Sequence, residues 1–522
     1  MRQDSVSDIL FKMRCKGVRI WADNGRLRYH APDGPLNAEE TENLRARRTE
    51  ILEFLQRARP SAEIGPELAP RSHSEPVPLA FSQQWWWNGF ELDRRPSLRM
   101  VFEALRLSGR LSTPALRRSL TELVCRHEAL RTRIVDSGEQ LTQHIDPPIE
   151  PILETINLSR LSEKERGIEI RRLAEQIVNE PFWVSSGPLF AVRLLRLADR
   201  EHVLVIALDH MISDAASLGI LRHEMFTLYA QCVRGLPCSL AKIPIQFADY
   251  AVWQQRADPL WRQRHGPYWM QRLSGAEPIK LFADERLQST PVVRWAMLPI
   301  EFGEVLSSTL RALSSVQRTT CVMSVLTAYV ACILRVSGRT DVVVPFVTSG
   351  RLYPQVHNTI GFFGTPMLLR IELREGDSYL DLLVRVTQEY AAAYEHQDSC
   401  RMARQIPCPE VMRNPSFNWI PREFHTSHGA ESHEHGLEDP LSMEQYHLDI
   451  VLRDVDWGSQ LGLLISDTND GISGGLRYRS DMFSLSTMER LLRTFRACAE
   501  ALANEPKARV IAGSCEGKCA PL

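Results

Sequence analysis

The apolar and polar positions of residues 1 to 57 predict a small module made of a helix, a hairpin and a second helix. Residues 9 to 13 carry a short helical stripe, and VRIWADNGRLRYH, 18 to 30, alternates on both sides of Asn24-Gly25. An Asn-Gly pair favours a two-residue hairpin turn, because both central positions need positive φ. The second helix has apolar residues spaced for one face: Leu44, Ile51, Leu52 and Leu55.

The rest of the chain alternates strand-like runs with helical patterns. HVLVIAL, 202 to 208, and DVVVPFV, 341 to 347, are typical of buried strands. Strands interleaved with helices predict α/β layers, and the length of the body favours two lobes with a ligand-holding cleft between them. The predicted division is a module at 1–57, a Pro-rich linker at 58–77, lobes at 78–260 and 261–508, and a tail at 509–522.

His210 stands where a predicted strand meets a predicted helix. The strand ends near residue 208, and Ser213 or Asp214 is placed to cap a helix over about 215 to 233. A histidine on such a loop is either a general base in the cleft or an ordinary histidine held by structural hydrogen bonds. His-x-x-x-Asp is expected about once by chance in this composition, so the local sequence leaves both interpretations open.

Composition limits the class of partner. The 522 residues are 44% hydrophobic and 24% charged with a formal net charge of -2, which gives the whole chain no attraction to nucleic acid or an anionic membrane. No signal peptide and no run of 18 apolar residues is found, which favours a cytoplasmic protein. The 11 cysteines include no Cys-x-x-Cys, so no disulfide framework and no metal site is predicted.

Six segments of the body match a known set of motifs and occur in the same order. They are FSQQWWWNGFEL (81–92), RHEALRTRI (126–134), LDHMISDAAS (208–217), IQFADYAVWQQ (245–255), IGFFGTPMLLR (360–370) and HQDSC (396–400). Over about residues 78 to 505 the sequence thereby resembles the condensation domains of nonribosomal peptide synthetases. The module at 1–57 resembles the β-hairpin docking domains that precede such enzymes.

This resemblance implies two chloramphenicol-acetyltransferase-like α/β lobes in a V, preceded by a small α+β docking domain. A tunnel between the lobes admits two phosphopantetheine arms, one with the acyl thioester and one with the nucleophile. The implied enzyme is an acyltransferase without a permanently bound cofactor, because the phosphopantetheine belongs to the partner. No adenylation or carrier segment is found in the sequence, so we expect an acyl or peptidyl carrier protein to deliver its thioester in trans.

The resemblance also implies roles for single residues. His210 corresponds to the second histidine of the family motif, which deprotonates or positions the nucleophile. Asp214 corresponds to its aspartate, which is implied to be structural and to pair with Arg131 of the second motif. Asp209 and Ala215 stand where the family has histidine and glycine. Neighbouring residues at a strand end point to opposite sides, so we expect Asp209 not to contact the atom that His210 contacts.

These departures favour an alcohol as acceptor. Gly364-Thr365 replaces the usual Val-Asn and predicts a different tunnel lining, and the altered third motif resembles that of some ester-forming relatives of the enacyloxin chain-releasing type. A hydroxyl is a poor nucleophile until its proton is removed, so a positioned base suits it. We predict transfer of a polyketide or peptide chain to an alcohol, or else to an amine, either free or carrier-bound. The alternatives are a non-catalytic recruitment platform and an epimerase.

Positive charge is concentrated on the predicted hairpin. Between residues 14 and 30, five basic residues stand against Asp23, a local charge of +4: Arg14, Lys16, Arg19, Arg26 and Arg28. Alternate strand residues share a face, so we expect Arg19 beside Arg26 or Arg28, with Ile20, Leu27 and Tyr29 opposite. We predict that Lys16, Arg19, Arg26 and Arg28 bind an acidic C-terminal segment of the carrier protein or its synthase. A solvated face is the alternative.

The sequence leaves the role of four further features undecided. WWW, 85 to 87, predicts either a channel lining or core packing. Ser349-Gly350-Arg351 follows a predicted strand and is either a plain turn or part of the cleft. The four histidines of HTSHGAESHEH, 425 to 435, are zinc-ligand types in a segment without strand or helix, so a solvated loop is favoured. An exposed tail is favoured for Cys515 and Cys519.

Overall fold

The structure of the protein is a computed structural model. The residues it describes are 19–23, 26–30, 36, 38–52, 66–73, 75–88, 100–138, 140–179, 182, 184–238, 240–281, 294–397, 399–402, 405–420, 441–446, 459–468 and 471–510.

The described elements are strands β1–β16 and helices α1–α10. The strands are β1 (Arg19–Asp23), β2 (Arg26–His30), β3 (Val77–Pro78), β4 (Met100–Ser108), β5 (Thr132–Asp136), β6 (Leu141–Ile145), β7 (Leu153–Asn157), β8 (Phe190–Ala198), β9 (Glu201–Asp209), β10 (Trp295–Glu301), β11 (Asp341–Thr348), β12 (Thr365–Glu372), β13 (Ser416–Trp419), β14 (Ser442–Gln445), β15 (Leu461–Thr468) and β16 (Gly471–Arg479). The helices are α1 (Ala38–Ala46), α2 (Phe81–Asn88), α3 (Thr113–Arg126), α4 (Glu163–Asn179), α5 (Ala215–Val233), α6 (Phe247–Arg272), α7 (Gly303–Val316), α8 (Cys321–Ser337), α9 (Tyr379–Glu395) and α10 (Leu485–Asn504).

The N-terminal module contains the predicted hairpin. Strands β1 and β2 pair antiparallel, and Asp23 lies opposite Arg26, so two residues separate the strands. Arg19 was expected beside Arg26 or Arg28, but its direct partner across the strands is His30, whereas Arg28 lies opposite Trp21 and Arg26 opposite Asp23. Helix α1 and the helical residues 48–52 follow, and Leu44 and Ile51 are buried as their spacing predicted.

The first lobe is built on a five-stranded sheet in the order β14-β4-β9-β8-β7. Strand β9 lies in the middle, and its alternate residues pack on opposite faces. Leu204, Ile206 and Leu208 join the cluster that contains α3 and α5 residues, whereas Val203, Val205 and Ala207 join the α4 cluster. Burial on both faces explains why this strand is an uninterrupted apolar run rather than an alternating one.

The second lobe has a six-stranded sheet in the order β10-β16-β15-β13-β11-β12, packed against α7 to α10. A three-stranded sheet, β3-β6-β5, accompanies the first lobe. Strand β14 comes late in the chain but pairs with β4, so the second lobe returns a strand to the first sheet. Two α/β lobes after a hairpin module are the predicted architecture.

Helix α6 connects the two lobes. Phe247, Tyr250 and Trp253 near its start join the cluster that surrounds Met211, and Trp269 near its end is buried in the second lobe. The helix runs through residue 260, where the sequence analysis placed the lobe boundary. In the described part of the chain no single helix is long and apolar enough to cross a membrane; α7 and α8 satisfy that test only as a pair bent by 108°.

Candidate active site

The chain turns where β9 ends, and this turn presents His210. Asp209 is fully buried, and its Oδ1 accepts a hydrogen bond from the Met211 amide at 2.7 Å. The Asp209 carbonyl oxygen accepts another from the Ser213 hydroxyl at 2.9 Å. His210 is partly exposed. The two neighbours therefore have different surroundings: Asp209 shapes the turn, and His210 faces accessible space.

Gln83 in α2 holds the backbone that follows His210. Its Nε2 donates to the Met211 carbonyl at 2.7 Å, and its Oε1 accepts from the Ala80 amide at 2.8 Å. Gln83 is fully buried, so a side-chain amide bonded at both ends fixes the turn rigidly. The sequence analysis missed this residue. The available signal was a polar side chain inside the apolar first motif.

Two aromatic rings enclose the His210 imidazole. The centroid of the Trp86 ring lies 4.8 Å from the imidazole centroid, and that of Phe362 lies 4.4 Å away. The two rings also meet each other edge to face at 5.5 Å, and both are buried. Trp86 belongs to α2 of the first lobe, whereas Phe362 precedes β12 of the second. The orientation of the imidazole thus depends on contacts from both lobes, and Trp86 both packs in a core and lines the site.

The Asp214 carboxylate is buried and accepts five hydrogen bonds. It is the N-cap of α5 and accepts from the amide and the hydroxyl of Ser217 at 2.9 and 2.8 Å. Arg351 donates to both carboxylate oxygens, from Nη1 at 2.7 Å and from Nη2 at 3.0 Å, and the Phe363 amide donates at 3.0 Å. Burial raises the pKa of Asp214, but the Arg351 charge and these bonds outweigh it, and the net pKa is lowered.

The predicted ion pair between Asp214 and Arg131 is wrong. Arg131 ends the 3₁₀ turn before β5, and its Nη1 donates to the Asp146 carbonyl at 2.6 Å, just beyond β6. Its only described ion-pair contact is with Glu128 at 4.0 Å. The partner of Asp214 is Arg351, which the sequence analysis left open as a turn residue. Arg131 therefore joins the 3₁₀ turn before β5 to the end of β6, and Arg351 belongs to the site.

Gly350 makes the approach of Arg351 possible. Its φ is +64°, and a Cβ atom at this position would lie 1.8 Å from the Phe363 carbonyl oxygen, so only glycine fits. The Arg351 guanidinium lies 4.5 Å from the centre of the Phe363 ring, and its Nη2 also donates to the Thr359 carbonyl at 3.1 Å. The loop after β11 is therefore folded tightly over the segment that carries Phe362.

Further hydrogen bonds join that segment to the first lobe. The Ser217 hydroxyl lies 3.0 Å from the Gly361 carbonyl and 3.1 Å from the Gly361 amide. The Ser82 hydroxyl donates to the Phe362 carbonyl at 2.6 Å. Because Ser82 and Ser217 belong to the first lobe, the backbone on both sides of Phe362 is fixed relative to His210. The lobes meet at the site through directional contacts and not through apolar packing alone.

The predicted docking residues are only partly described. Lys16 lies outside the described residues, and of Arg19 and Arg26 the structure describes the strand positions. The register places positions 19, 26 and 28 on one face of the hairpin, as predicted, and Arg28 is exposed.

Two segments carry metal-ligand residue types and lie outside the described residues: 425–435, and the tail with Cys515 and Cys519. Within the ranges that the structure describes, no group of three or more His, Cys, Asp or Glu is arranged to hold a metal ion.

Two titratable side chains of the site differ in accessibility: His210 is partly exposed, whereas the Asp214 carboxylate is buried and fully hydrogen-bonded. The five donors around Asp214 fill the lone pairs of its carboxylate, so this residue positions the loop and is not available to a substrate. His210 is partly exposed on a turn whose backbone is fixed by Asp209 and Gln83. Such an imidazole is suited to take a proton from a bound nucleophile.

Two family models together match most of the chain. The condensation domain model matches residues 73–512, and the TubC N-terminal docking domain model matches residues 6–57. This chain belongs to the condensation-domain family. The resemblance inferred from the six motifs, the two-lobed fold class and the presence of a docking domain are thereby confirmed.

Similar proteins include a synthase and two solved structures. One of the linear gramicidin synthase proteins of Brevibacillus parabrevis is 31% identical over 448 residues, which are 85% of this chain and 9% of that protein. The complex of the X-domain and OxyB from teicoplanin biosynthesis matches with a TM-score of 0.71 and 21% identity, over 85% of this chain and 97% of that one. A structure titled for condensation domain-mediated chain release from the enacyloxin polyketide synthase matches with a TM-score of 0.64 and 19% identity, over 96% and 97%.

These likenesses differ in what they establish. The condensation-domain chain spans about a tenth of the length of the gramicidin synthase protein, so the whole activity of that protein does not transfer to it. Both structures are below 25% identity and show the fold alone.

Proposed function

We propose that this condensation-domain protein is an acyltransferase that moves a polyketide or peptide chain from a carrier-protein thioester to an alcohol. The ester product leaves the carrier, so the reaction releases the chain. The observation that carries the proposal is the position of His210, which is partly exposed at the junction of the lobes while Asp209 and Asp214 beside it are buried and bonded.

The proposed reaction requires one proton acceptor. Neutral His210 takes the proton of the acceptor hydroxyl as the oxygen attacks the thioester carbonyl carbon, and a tetrahedral intermediate forms. The carbon–sulfur bond then breaks, and the thiolate of the phosphopantetheine arm receives the proton from the His210 imidazolium. One ester and one free thiol result, and the histidine returns to its neutral form.

A chemical argument and one structural likeness favour an alcohol over an amine. An alcohol gains more from a base than a neutral amine does, and here the imidazole is oriented by the Trp86 and Phe362 rings as well as by its fixed turn. One fold neighbour, similar over 96% of this chain, is titled for chain release from a polyketide synthase. The experiment therefore tests an amine acceptor alongside the alcohol.

The test is intact-mass analysis of a loaded carrier incubated with paired alcohol and amine acceptors. The variant His210→Ala should lower single-turnover transfer by about two to four orders of magnitude, the usual scale for acid–base assistance. His223→Ala is the matched control, because His223 lies exposed on α5, close in sequence to the site. Near wild-type transfer by folded His210→Ala would remove this residue from the mechanism, and amide formation alone would contradict the choice of an alcohol.

The second candidate function is a non-catalytic recruitment platform. It is favoured by one observation, that a neighbour of the same fold was solved in complex with another protein, OxyB. The presence of His210 disfavours the platform, because recruitment needs no base. No transfer by the wild-type protein to any acceptor, together with stable binding of a second protein, would favour the platform.

We further infer that the docking domain receives an acidic C-terminal segment of the carrier protein or its synthase, as an added strand or alongside the hairpin. The support is the local charge of +4 between residues 14 and 30 and the exposure of Arg28 and Tyr29 on β2. Tethering a carrier in this way raises its effective concentration at the site without changing the chemistry.

Charge reversal tests this inference. Arg26→Glu combined with Arg28→Glu should weaken carrier binding and slow transfer at low carrier concentration, and excess carrier should restore the rate. The matched control is Arg45→Glu with Arg48→Glu, two exposed residues in the helical part of the same domain. Equal loss in both pairs would indicate a general charge effect, and unchanged carrier dependence in the first pair would contradict the inference.

A further inference from the structure

Two cysteines meet at the end of α5. Cys232 lies in the last turn of the helix, Cys238 lies in the segment that follows, and their Sγ atoms are 3.2 Å apart, at hydrogen-bonding distance. Both are free cysteines, and both are partly exposed. The two sulfurs of a disulfide are about 2.0 Å apart, so a movement of about 1.2 Å brings these two to bonding distance. The proposed acyl transfer uses neither residue.

The backbone between the two cysteines holds them in this position. Gly235 has a φ of +66°, and its amide donates to the Cys232 carbonyl at 3.1 Å. The Leu236 amide donates to the Gln231 carbonyl at 2.9 Å. These two bonds around a left-handed glycine form a Schellman motif, which ends a helix and turns the chain back toward its last turn. Residues 233–237 are all exposed, so a small reagent reaches a turn in which the two sulfurs already lie side by side.

One thiol of the pair keeps its proton at neutral pH. Burial and the neighbouring Cys238 raise the pKa of Cys232 to about 11. Cys232 therefore donates its S–H to the Cys238 sulfur, and Cys238 is the sulfur that reacts first as a thiolate.

We propose that Cys232 and Cys238 form a reversible disulfide by exchange with a low-molecular-weight disulfide of the glutathione type. The Cys238 thiolate attacks one sulfur of oxidised glutathione, the glutathione S–S bond breaks, and one glutathione thiolate leaves. Cys232 then loses its proton and attacks the Cys238 sulfur of the mixed disulfide, which releases the second glutathione. The protein gives up two electrons and two protons, and two glutathione thiols gain them.

The bond closes the loop from Cys232 to Cys238 and acts on stability, because it restricts the unfolded chain. Helix α5 has 19 residues and is about 28 Å long, so it separates the pair from the turn that carries His210. We therefore expect oxidation to raise the unfolding temperature and to leave the chemistry at His210 unchanged.

The test treats the folded protein with oxidised glutathione, blocks the remaining thiols, and digests the unfolded monomer with trypsin. Trypsin cleaves after Arg234, between the two cysteines, so peptides 223–234 and 235–242 stay joined only if the disulfide has formed. Cys232→Ser and Cys238→Ser each keep one thiol of the pair and should stop at the mixed disulfide. Cys125→Ser is the matched control, because Cys125 is an exposed cysteine on α3 of the same lobe.

Joined peptides should appear in wild type and in Cys125→Ser, and excess reduced glutathione should separate them again. The unfolding temperature of the oxidised form should be higher by about 2 to 5 °C, and neither variant of the pair should show that rise. Unjoined peptides from treated, folded wild type overturn the inference. An equal yield of joined peptides from protein treated in urea also overturns it, because the fold would then not bring the sulfurs together.

A disulfide that leaves the unfolding temperature unchanged would contradict the stabilising role of the bond. The readouts are joined peptides and thermal melting, so a failure of the proposed acyl transfer would not affect them.

Discussion

Arg351 and Asp214 form an ion pair across the two lobes, with both carboxylate oxygens engaged at 2.7 and 3.0 Å. Asp214 begins α5 of the first lobe, and Arg351 follows β11 of the second. Each side chain is less than a tenth exposed. A buried pair of this kind couples the position of the second lobe to the turn that carries His210.

Arg351→Ala should therefore destabilise the fold by about 3 to 5 kcal/mol, because it leaves the Asp214 carboxylate buried without its cation. The matched control is Arg131→Ala. It removes one hydrogen bond to the Asp146 carbonyl and a 4.0 Å contact with Glu128, leaves no buried carboxylate without its cation, and should cost about 1.5 kcal/mol. Urea unfolding of both variants measures the difference. Equal costs would contradict the assignment of Arg351 as the partner of Asp214.

The same pair makes stability depend on pH. The pKa of Asp214 is lowered in the folded state, because the Arg351 charge and the hydrogen bonds outweigh the opposing effect of burial. A depressed pKa contributes stability above the unfolded value of about 3.9, and this contribution is lost as the pH falls through the lower, folded value. The stability difference between wild type and Asp214→Asn should therefore be full at pH 7 and shrink below about pH 4. A difference independent of pH would show that Asp214 is not ionised in the folded protein.

The elements around the site follow from local patterns in the sequence. The apolar run and the capping aspartate lie within about a dozen residues, so strand β9 and helix α5 were expected where the structure has them, at Glu201–Asp209 and Ala215–Val233. Arg351 is 137 residues from Asp214, and their contact depends on how the second lobe packs against the first. Nothing in the local sequence distinguishes Arg351 from Arg131. The contact of Phe362 with His210 is long-range in the same way.

The aromatic contacts of His210 lead to a prediction about turnover. Trp86→Phe and Trp86→Leu both reduce the volume of a buried side chain, but only Phe keeps a ring against the imidazole. An aromatic contact is worth about 0.5 to 1.5 kcal/mol beyond its buried area. Trp86→Leu should therefore lower kcat by about two- to tenfold more than Trp86→Phe does, although both lose similar thermal stability. If kcat simply follows the loss of stability in the two variants, the ring has no positioning role.

The linker before β3 is anchored to the body at Arg71. Its Nη1 donates to Asp249 at 2.7 Å and lies 2.9 Å from a Glu128 oxygen, and the Arg71 side chain is 4% exposed. Pro66, five residues earlier, accepts a hydrogen bond from Trp253 Nε1 at 2.7 Å. Residues 66 to 71 are thus held against α6, close to the cluster that surrounds Met211. The linker is therefore attached to the condensation domain from residue 66 onward and not first at β3.

Arg71→Ala should release this anchor and lengthen the tether. The predicted linker begins at residue 58, so residues 58–65 make eight tether residues in wild type, and release up to β3 would make 19, residues 58–76. The effective concentration falls as about the −3/2 power of tether length, so transfer from a docked carrier should slow about three- to fourfold at low carrier concentration. The rate with a small thioester that bypasses docking should change less. Arg256→Ala, which breaks only the exposed pair with Glu75 on the same linker, is the control. Equal slowing with carrier and small thioester would show that Arg71 supports the active site itself and does not set the reach of the docking domain.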